Sequence, residues 1–400
     1  MSVKIAIISD LHLGIGRNTE RSEDCWDAAR EAFEKAKDCD LILLPGDIFD
    51  GRIPRPEDWA KCMGILSNVK VPIVAIHGNH ERRGKGLINP VEGLEHAKFL
   101  KYLHCKSKVF DIKGRKISVF GMGWVPEAYA KEVLHNCNPQ PVEGAYNIFV
   151  LHQSVSPYVF NSIEPPSLTL EDLPKGFDLY VCGHIHWNVM DKTHGKPFLI
   201  PGSTVTTQVN KSEAKNPKGF YIVELDDDVK INFIKLDSAR KVYYKEFKVD
   251  NNKKISDITE EIEEYLNGIN EDKKPLVRVV VRGSIGKGSN LDLRYLKDKY
   301  RDKMILSVGV RVSEEELEKK IKLLRDVMDE RVSIMDIGMR ILRENMNEMK
   351  SSFDFEEIFE FLVDGNVDGA MAQLLSNLDE FVNKSKNPSV DMSGLQRWVS

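Results

Sequence analysis

Five short apolar runs punctuate the first half of the chain, at residues 4–8, 41–44, 73–76, 148–151 and 179–181. Each is too brief for a helix and each is followed within two residues by a glycine or a polar residue, the pattern of a buried strand that ends in a loop. Between the first two runs, Cys25, Trp26, Ala29, Phe33 and Ala36 recur at helical spacing, so residues 19–37 are predicted to return the chain as a helix. Residues 57–68 and 91–102 read as two more helices, and 109–122 as a hairpin turning at Lys113-Gly114-Arg115. A last alternating hairpin, 220–225 with 229–236, turns at Asp226-Asp227-Asp228.

Beyond residue 239 the rhythm changes. Residues 240–312 read as β-α-β-α-β, with strands at 242–249, 276–281 and 304–312 and helices around 255–266 and 291–299. Ser313 to Glu316 has the form of a capping box opening a long helix. Phe355, Ile358, Phe359 and Leu362, then Val367, Leu374, Leu375 and Leu378, place apolar faces on two acidic helices joined at Asp364-Gly365-Asn366. Such a pair cannot bury its own apolar side chains and is expected to dock on a partner. The predicted divisions are 1–239, 240–312, a helical linker 313–350, a helical hairpin 351–383 and a polar tail 384–400.

Composition changes this picture little. The 42% hydrophobic and 30% charged content is that of an ordinary globular protein, and 400 residues exceed what one core usually holds. No apolar run has the length of a membrane span and no targeting signal is evident, so a cytoplasmic, nucleoid-associated protein is expected. Six scattered cysteines without a Cys-x-x-Cys pair read as buried thiols. The net charge of −5 is uneven: 240–312 carries an excess of five positive charges and 313–400 an excess of eight negative ones. The middle segment is therefore the candidate surface for a phosphate backbone.

The chemistry lies where the strands end. Closely following the five runs are Ser9-Asp10-Leu11-His12, Gly46-Asp47-Ile48-Phe49-Asp50, Gly78-Asn79-His80-Glu81, Leu151-His152-Gln153 and Gly183-His184-Ile185-His186. Ligands of open α/β sheets bind beyond the carboxyl ends of the strands, so these side chains should meet. Carboxylate, carboxamide and imidazole donors without thiolate suit Mn²⁺, Mg²⁺, Fe²⁺ or Zn²⁺ in a catalytic site. Two such ions about 4 Å apart can clamp the attacking and leaving oxygens of a phosphate ester.

These five islands, in this order, resemble the calcineurin-like metallophosphoesterase superfamily and, within it, the Mre-eleven/SbcD nucleases of DNA double-strand-break repair, in their archaeal form. The resemblance implies an α/β fold, a metallophosphoesterase β-sandwich flanked by helices, with a small α+β capping domain over the cleft and a C-terminal helical hairpin. It gives Asp10, His12 and His186 to one metal and Asn79, His152 and His184 to a second, with Asp47 bridging. His80 takes the place of the non-ligand histidine that contacts the scissile phosphate and protonates the leaving oxygen. The implied activity is Mn²⁺-dependent exonuclease and endonuclease cleavage, with two Mn²⁺ ions per subunit (Mg²⁺ or another divalent ion in reserve).

The implied partners are DNA, a second copy of the chain through helices 57–68 and 91–102, and a Rad-fifty/SbcC-type ATPase through the helical hairpin. Trp59, Met63, Leu66, Leu94, Phe99 and Leu103 are the apolar candidates for the dimer face, or for the monomer's own core. The tail spacing Met392, Leu395, Trp398, Val399 is similar to peptides that plug into a sliding clamp.

Two positions depart from the pattern: Asp50 stands where many of these nucleases have a histidine, and Glu81 where an aspartate is common. Glu81 is the form seen in Ser/Thr protein phosphatases, whose Asp-Arg-Gly segment is absent here, since the chain reads Asp50-Gly51-Arg52. A phosphoprotein phosphatase or small-molecule phosphodiesterase is therefore the alternative enzyme. A non-catalytic scaffold is the alternative of another class.

Overall fold

The computed structural model describes residues 2–84, 86–159, 167–249, 255–285, 291–314 and Met371. In chain order the strands are β1 (Val3–Ile7), β2 (Leu41–Leu44), β3 (Ile73–Ala75), β4 (Lys101–Tyr102), β5 (Lys106–Ile112), β6 (Arg115–Met122), β7 (Tyr146–His152), β8 (Val155–Ser156) and β9 (Leu168–Thr169). They continue with β10 (Leu179–Gly183), β11 (Val189–Thr193), β12 (Lys196–Ile200), β13 (Gly219–Leu225), β14 (Val229–Lys235), β15 (Val242–Val249), β16 (Leu276–Ile285) and β17 (Ile305–Glu314). The helices are α1 (Asp24–Lys35), α2 (Pro56–Leu66), α3 (Pro90–His96), α4 (Ala130–Cys137), α5 (Lys211–Lys215), α6 (Ile255–Asn267) and α7 (Tyr295–Lys299).

Two six-stranded sheets, ordered β14-β13-β1-β2-β3-β4 and β11-β12-β10-β7-β6-β5, pack face to face. Strands β1 to β4 run parallel, as do β6, β7, β10 and β12, while β13 and β14 in the first sheet and β11 and β5 in the second add antiparallel. The strand pleat divides each run between two cores. Ile5, Ile7, Leu43, Val74, Val150 and Val181 fill the space between the sheets, while Ala6, Ile8, Leu44 and Ala75 face α1, α2 and α3. Phe149, Leu151, Tyr180 and Cys182 turn outward beneath α4. Both faces of these strands are buried, which is why they read as unbroken apolar runs rather than as alternation. The architecture is the α/β sandwich flanked by helices that the resemblance implies.

Residues 240–312 form a three-stranded sheet, β15-β16-β17, and α6 packs on β15, where Phe247 meets Tyr265. Val277, Val279 and Val281 of β16 and Ile258, Ile262 and Leu266 of α6 are all buried. This sheet belongs to the same compact unit as the sandwich, a unit comprising Met1–Gly283 and Gly288–Val312. Arg240 fastens the junction: its Nε lies 2.7 Å from Asp24, and its other nitrogens donate to the carbonyls of Lys274 and Glu20.

Several sequence-based expectations need correcting. The helix expected from residue 19 starts at Asp24, because Gly16 and Asn18 take positive φ and Thr19 Oγ1 donates to the Gly16 carbonyl, holding a turn. The helix expected over 91–102 ends at His96; Lys98 at φ 65° breaks it, and Tyr102 joins β3 as a strand. The helix expected over 291–299 begins only at Tyr295, since the Asp292 carboxylate binds the backbone and side chain of Arg294. Of the six cysteines expected as thiols, Cys105 and Cys137 are joined as a disulfide and the other four are buried and free. The pair lies at the start of β5 and the end of α4, which sequence spacing does not relate. The linker expected over 313–350 does not open as a helix at Ser313, since Ser313 and Glu314 end β17; the rest of it, the hairpin 351–383 (Met371 apart), the tail 384–400 and the turn at Gly286-Lys287-Gly288 lie outside the described residues.

Candidate metal centre

The five strand ends meet at one edge of the sandwich. Asp10, His12, Asp47 and His184 all have φ between 45° and 82°, a conformation that costs side-chain-bearing residues energy and recurs at functional sites. The tight turns need glycine. A Cβ on Gly78 would lie 2.0 Å from Asp47 Oδ1, and one on Gly46, at φ 97°, would lie 2.4 Å from His152 Nδ1.

Ligand-type atoms of Asp10, His12 and His186 lie within 4.8 Å of one another, and so do those of Asp10, Asp47 and His152. Asn79 Oδ1 completes the second cluster, 3.2 Å from His152 Nε2 and 3.0 Å from His184 Nδ1. Five of the expected ligands, Asp10, His12, Asp47, His152 and His186, thus form two triads sharing Asp10, and with Asn79 and His184 all seven are in one patch.

The outer hydrogen bonds settle which nitrogens can bind a cation. His152 Nδ1–H donates to the Pro45 carbonyl at 2.7 Å, so Nε2 carries the lone pair and faces Asp47 Oδ2 at 3.3 Å. His12 Nδ1–H donates to the Asp50 carboxylate at 3.2 Å, and its Nε2 faces His186 Nε2 at 3.2 Å. Acceptors therefore confront acceptors in a buried place, an arrangement that calls for cations between them. The donor set, all oxygen and imidazole, fits divalent metal ions.

The same field shows in the proton affinities. Burial lowers that of His152, but Asp47 overrides it and pushes the imidazole up to about 9, so that without a cation a proton takes the place on Nε2 that a metal ion would fill. His184, buried and facing His152, is driven down to about 3.

His80 lies outside these two triads, on their rim, where it groups with His12 and Asp50. Its N–H donates to Asp47 Oδ1 at 3.0 Å, its Nδ1–H to the Asp50 carbonyl at 2.9 Å, and its side chain is 37% exposed. Asp50, the departure from the resembled pattern, touches both histidines and orients them.

Glu81 is fully buried and faces elsewhere: its oxygens accept from Phe49 N–H at 2.8 Å and Gly78 N–H at 3.0 Å, tying the second and third islands together. Burial and then Asp47 push its carboxyl up to about 8. Behind the third island, His77 donates from Nε2 to the Trp124 carbonyl and accepts from the Tyr102 hydroxyl at 2.7 Å.

Sequence reasoning missed the supports. Ser9 Oγ donates to Asp10, and His184 N–H to Asp10 Oδ1 at 3.2 Å. Thr207, Glu213 and Lys218 stand behind His186. The one signal for Glu213 was Asn210 three residues earlier, a capping pattern, and Asn210 does cap α5 through Glu213 N–H. Trp59, Met63 and Phe99 are partly buried against the chain's own core, and Leu66, Leu94 and Leu103 are buried within it.

Comparison with known proteins agrees with this geometry. Residues 3–188 match the calcineurin-like phosphoesterase family. The DNA double-strand break repair protein Mre11 of Methanococcus maripaludis is 30% identical over 68% of this chain and 75% of its own length. The Mre11 proteins of Saccharolobus solfataricus and Methanocaldococcus jannaschii are 28% and 27% identical, over 70% and 77% of this chain and 75% and 82% of theirs. This chain belongs to the Mre11 family. Membership of that family of metallophosphoesterases extends past the islands, since the matched 295 residues exceed the catalytic sandwich. No helix among the described residues is long and apolar enough to cross a membrane.

Proposed function

We propose that the chain is a Mn²⁺-dependent DNA nuclease that processes double-strand breaks, holding two ions per subunit. The observation that carries this reading is the confrontation of buried acceptors: His12 Nε2 with His186 Nε2, and His152 Nε2 with Asp47 and Asn79. Asp10, His12 and His186 would hold one ion, Asn79, His152 and His184 the other, and Asp47 would bridge. When bound, the ions supply Lewis-acid activation of water and neutralise charge on the phosphate.

The chain's own residues do the rest. His80, exposed at the rim and anchored through Nδ1, presents Nε2 to donate a proton to the leaving 3′-oxygen. Asp50 holds the rings of His12 and His80 in register. Glu81, the residue shared with the phosphatases, is spent on two backbone amides and does not reach the reacting atoms. The basic excess of 240–312 favours a DNA-capping role, and the dimer and the Rad-fifty/SbcC-type ATPase complete the assembly proposed for this family member.

The test is cleavage of end-labelled duplex and single-stranded DNA by the purified chain with Mn²⁺, with Mg²⁺ and with chelator, alongside a phosphorylated peptide. Mn²⁺-dependent shortening of DNA with no peptide turnover supports the nuclease. Peptide dephosphorylation with intact DNA supports the phosphatase and overturns it.

A further inference from the structure

Behind His186 lies a hydrogen-bonded relay that no part of the proposed chemistry uses. Thr207 Oγ1 donates to Glu213 Oε1 at 2.8 Å, and a hydroxyl has only one proton to give. Its 2.5 Å contact with His186 Nδ1 must therefore be accepted from the imidazole N–H. The ring is thereby fixed with its lone pair on Nε2, the nitrogen that faces His12.

Glu213 is itself held. It is 3% exposed, accepts from Thr207 N–H at 3.2 Å and Gln208 N–H at 3.0 Å, and pairs with Lys218 Nζ at 2.8 Å. Lys218, 5% exposed, spends its other protons on the His186 carbonyl at 3.0 Å and Ser203 Oγ at 2.8 Å. The ion pair thus grips the His186 backbone while the hydroxyl grips its ring.

We infer that Glu213, acting through Thr207 and secured by Lys218, is a positioning residue that sets the tautomer and aim of His186 and so the grip of the Asp10–His12–His186 cluster on its ion. This rests on the metal reading of the site. A carboxylate that reaches a ligating histidine through a hydroxyl orients the ring and raises its donor strength, and loss of such a partner costs about ten- to a hundredfold in metal affinity.

Thr207→Val keeps the shape and removes the hydroxyl, whereas Thr207→Ser restores it. Mn²⁺ titration by calorimetry and electron paramagnetic resonance reads the ions directly, without turnover. The expected result is about ten- to a hundredfold weaker binding of one of two ions in Thr207→Val, the other unchanged, with Thr207→Ser close to wild type. Nitrogen-15 spectra of the metal-free protein should show His186 protonated at Nδ1 in wild type and Thr207→Ser, and a mixed tautomer in Thr207→Val. Should Thr207→Val fail to fold, the double change Glu213→Gln with Lys218→Met removes the charged end as a neutral pair and is read the same way. Equal affinity for both ions and an unchanged His186 tautomer in the folded variant would overturn the relay. A wild-type chain that binds no metal but shows the expected tautomer change would instead overturn the metal reading and leave the relay standing.

Discussion

Two clusters of charge in this molecule are built on contrary plans. At the junction with residues 240–312, opposite charges meet in pairs. Asp24 lies 2.7 Å from Arg240 and 3.4 Å from Lys273; Glu20 lies 2.7 Å from Lys274; Glu31 lies 2.7 Å from Lys35 and accepts from the amides of Asp237 and Ser238. That cluster is complete in itself. At the strand ends, lone pairs face lone pairs and the carboxylates Asp10 and Asp47 are hemmed in by imidazoles whose protons point away. The first plan makes a joint and the second a binding site. The site is the more deeply buried of the two, and the direction of its outer hydrogen bonds is what leaves its lone pairs facing one another.

The largest expected effect separates binding from chemistry within the site. His80 touches Asp47 only through its backbone N–H, so His80→Ser should keep both ions by calorimetry while DNA cleavage falls about 10²- to 10⁴-fold. Lost ions would put His80 among the ligands, and full cleavage would remove it from the mechanism.

A smaller effect is expected at the joint, and of the opposite kind. Arg240→Met should leave Asp24, 5% exposed, without its nearest cation and cost on the order of 3 kcal/mol in denaturant unfolding. Mn²⁺ affinity should not change. A variant as stable as wild type, or one that loses metal, would erase the distinction between the clusters.

The smallest effect concerns pH. Burial opposes the charge of Glu31, yet Lys35 and the amides of Asp237 and Ser238 hold its carboxyl down at about 2, below its ordinary value of 4.5. A depressed carboxyl contributes stability that is fully present above the unfolded value and is lost as pH falls from 4.5 towards 2. With partial exposure to solvent this is about 1 kcal/mol. Glu31→Gln should flatten the acid limb of the stability profile by that amount over this window and leave neutral pH cleavage unaltered; an unchanged acid limb would contradict it.

How much of this was legible in the sequence follows from locality. The strand-end islands announce themselves because each functional side chain sits directly after an apolar run, and parallel order then brings the islands together. Gly46 and Gly78 mark the turns for the same reason. The hairpin around Lys113-Gly114 was legible from alternation, and both residues take positive φ. What supports the site was not legible. Thr207, Glu213 and Lys218 come from a segment with no apolar rhythm, and their role exists only once β10 and β13 are neighbours of β12 and β1. Helix ends were misread where a side chain captured the backbone, as at Thr19 and Asp292, or where Lys98 turned left-handed. Apolar spacing carries no trace of either event.

The central claim is that the strand ends form a two-ion site held together by Asp47. Calorimetric titration of Mn²⁺ into the metal-free protein, wild type against Asp47→Asn, tests it most directly. Two ions per wild-type chain and none held at comparable affinity by Asp47→Asn is the result the geometry predicts. Two ions bound equally well by Asp47→Asn, or no ion bound by wild type, would contradict it.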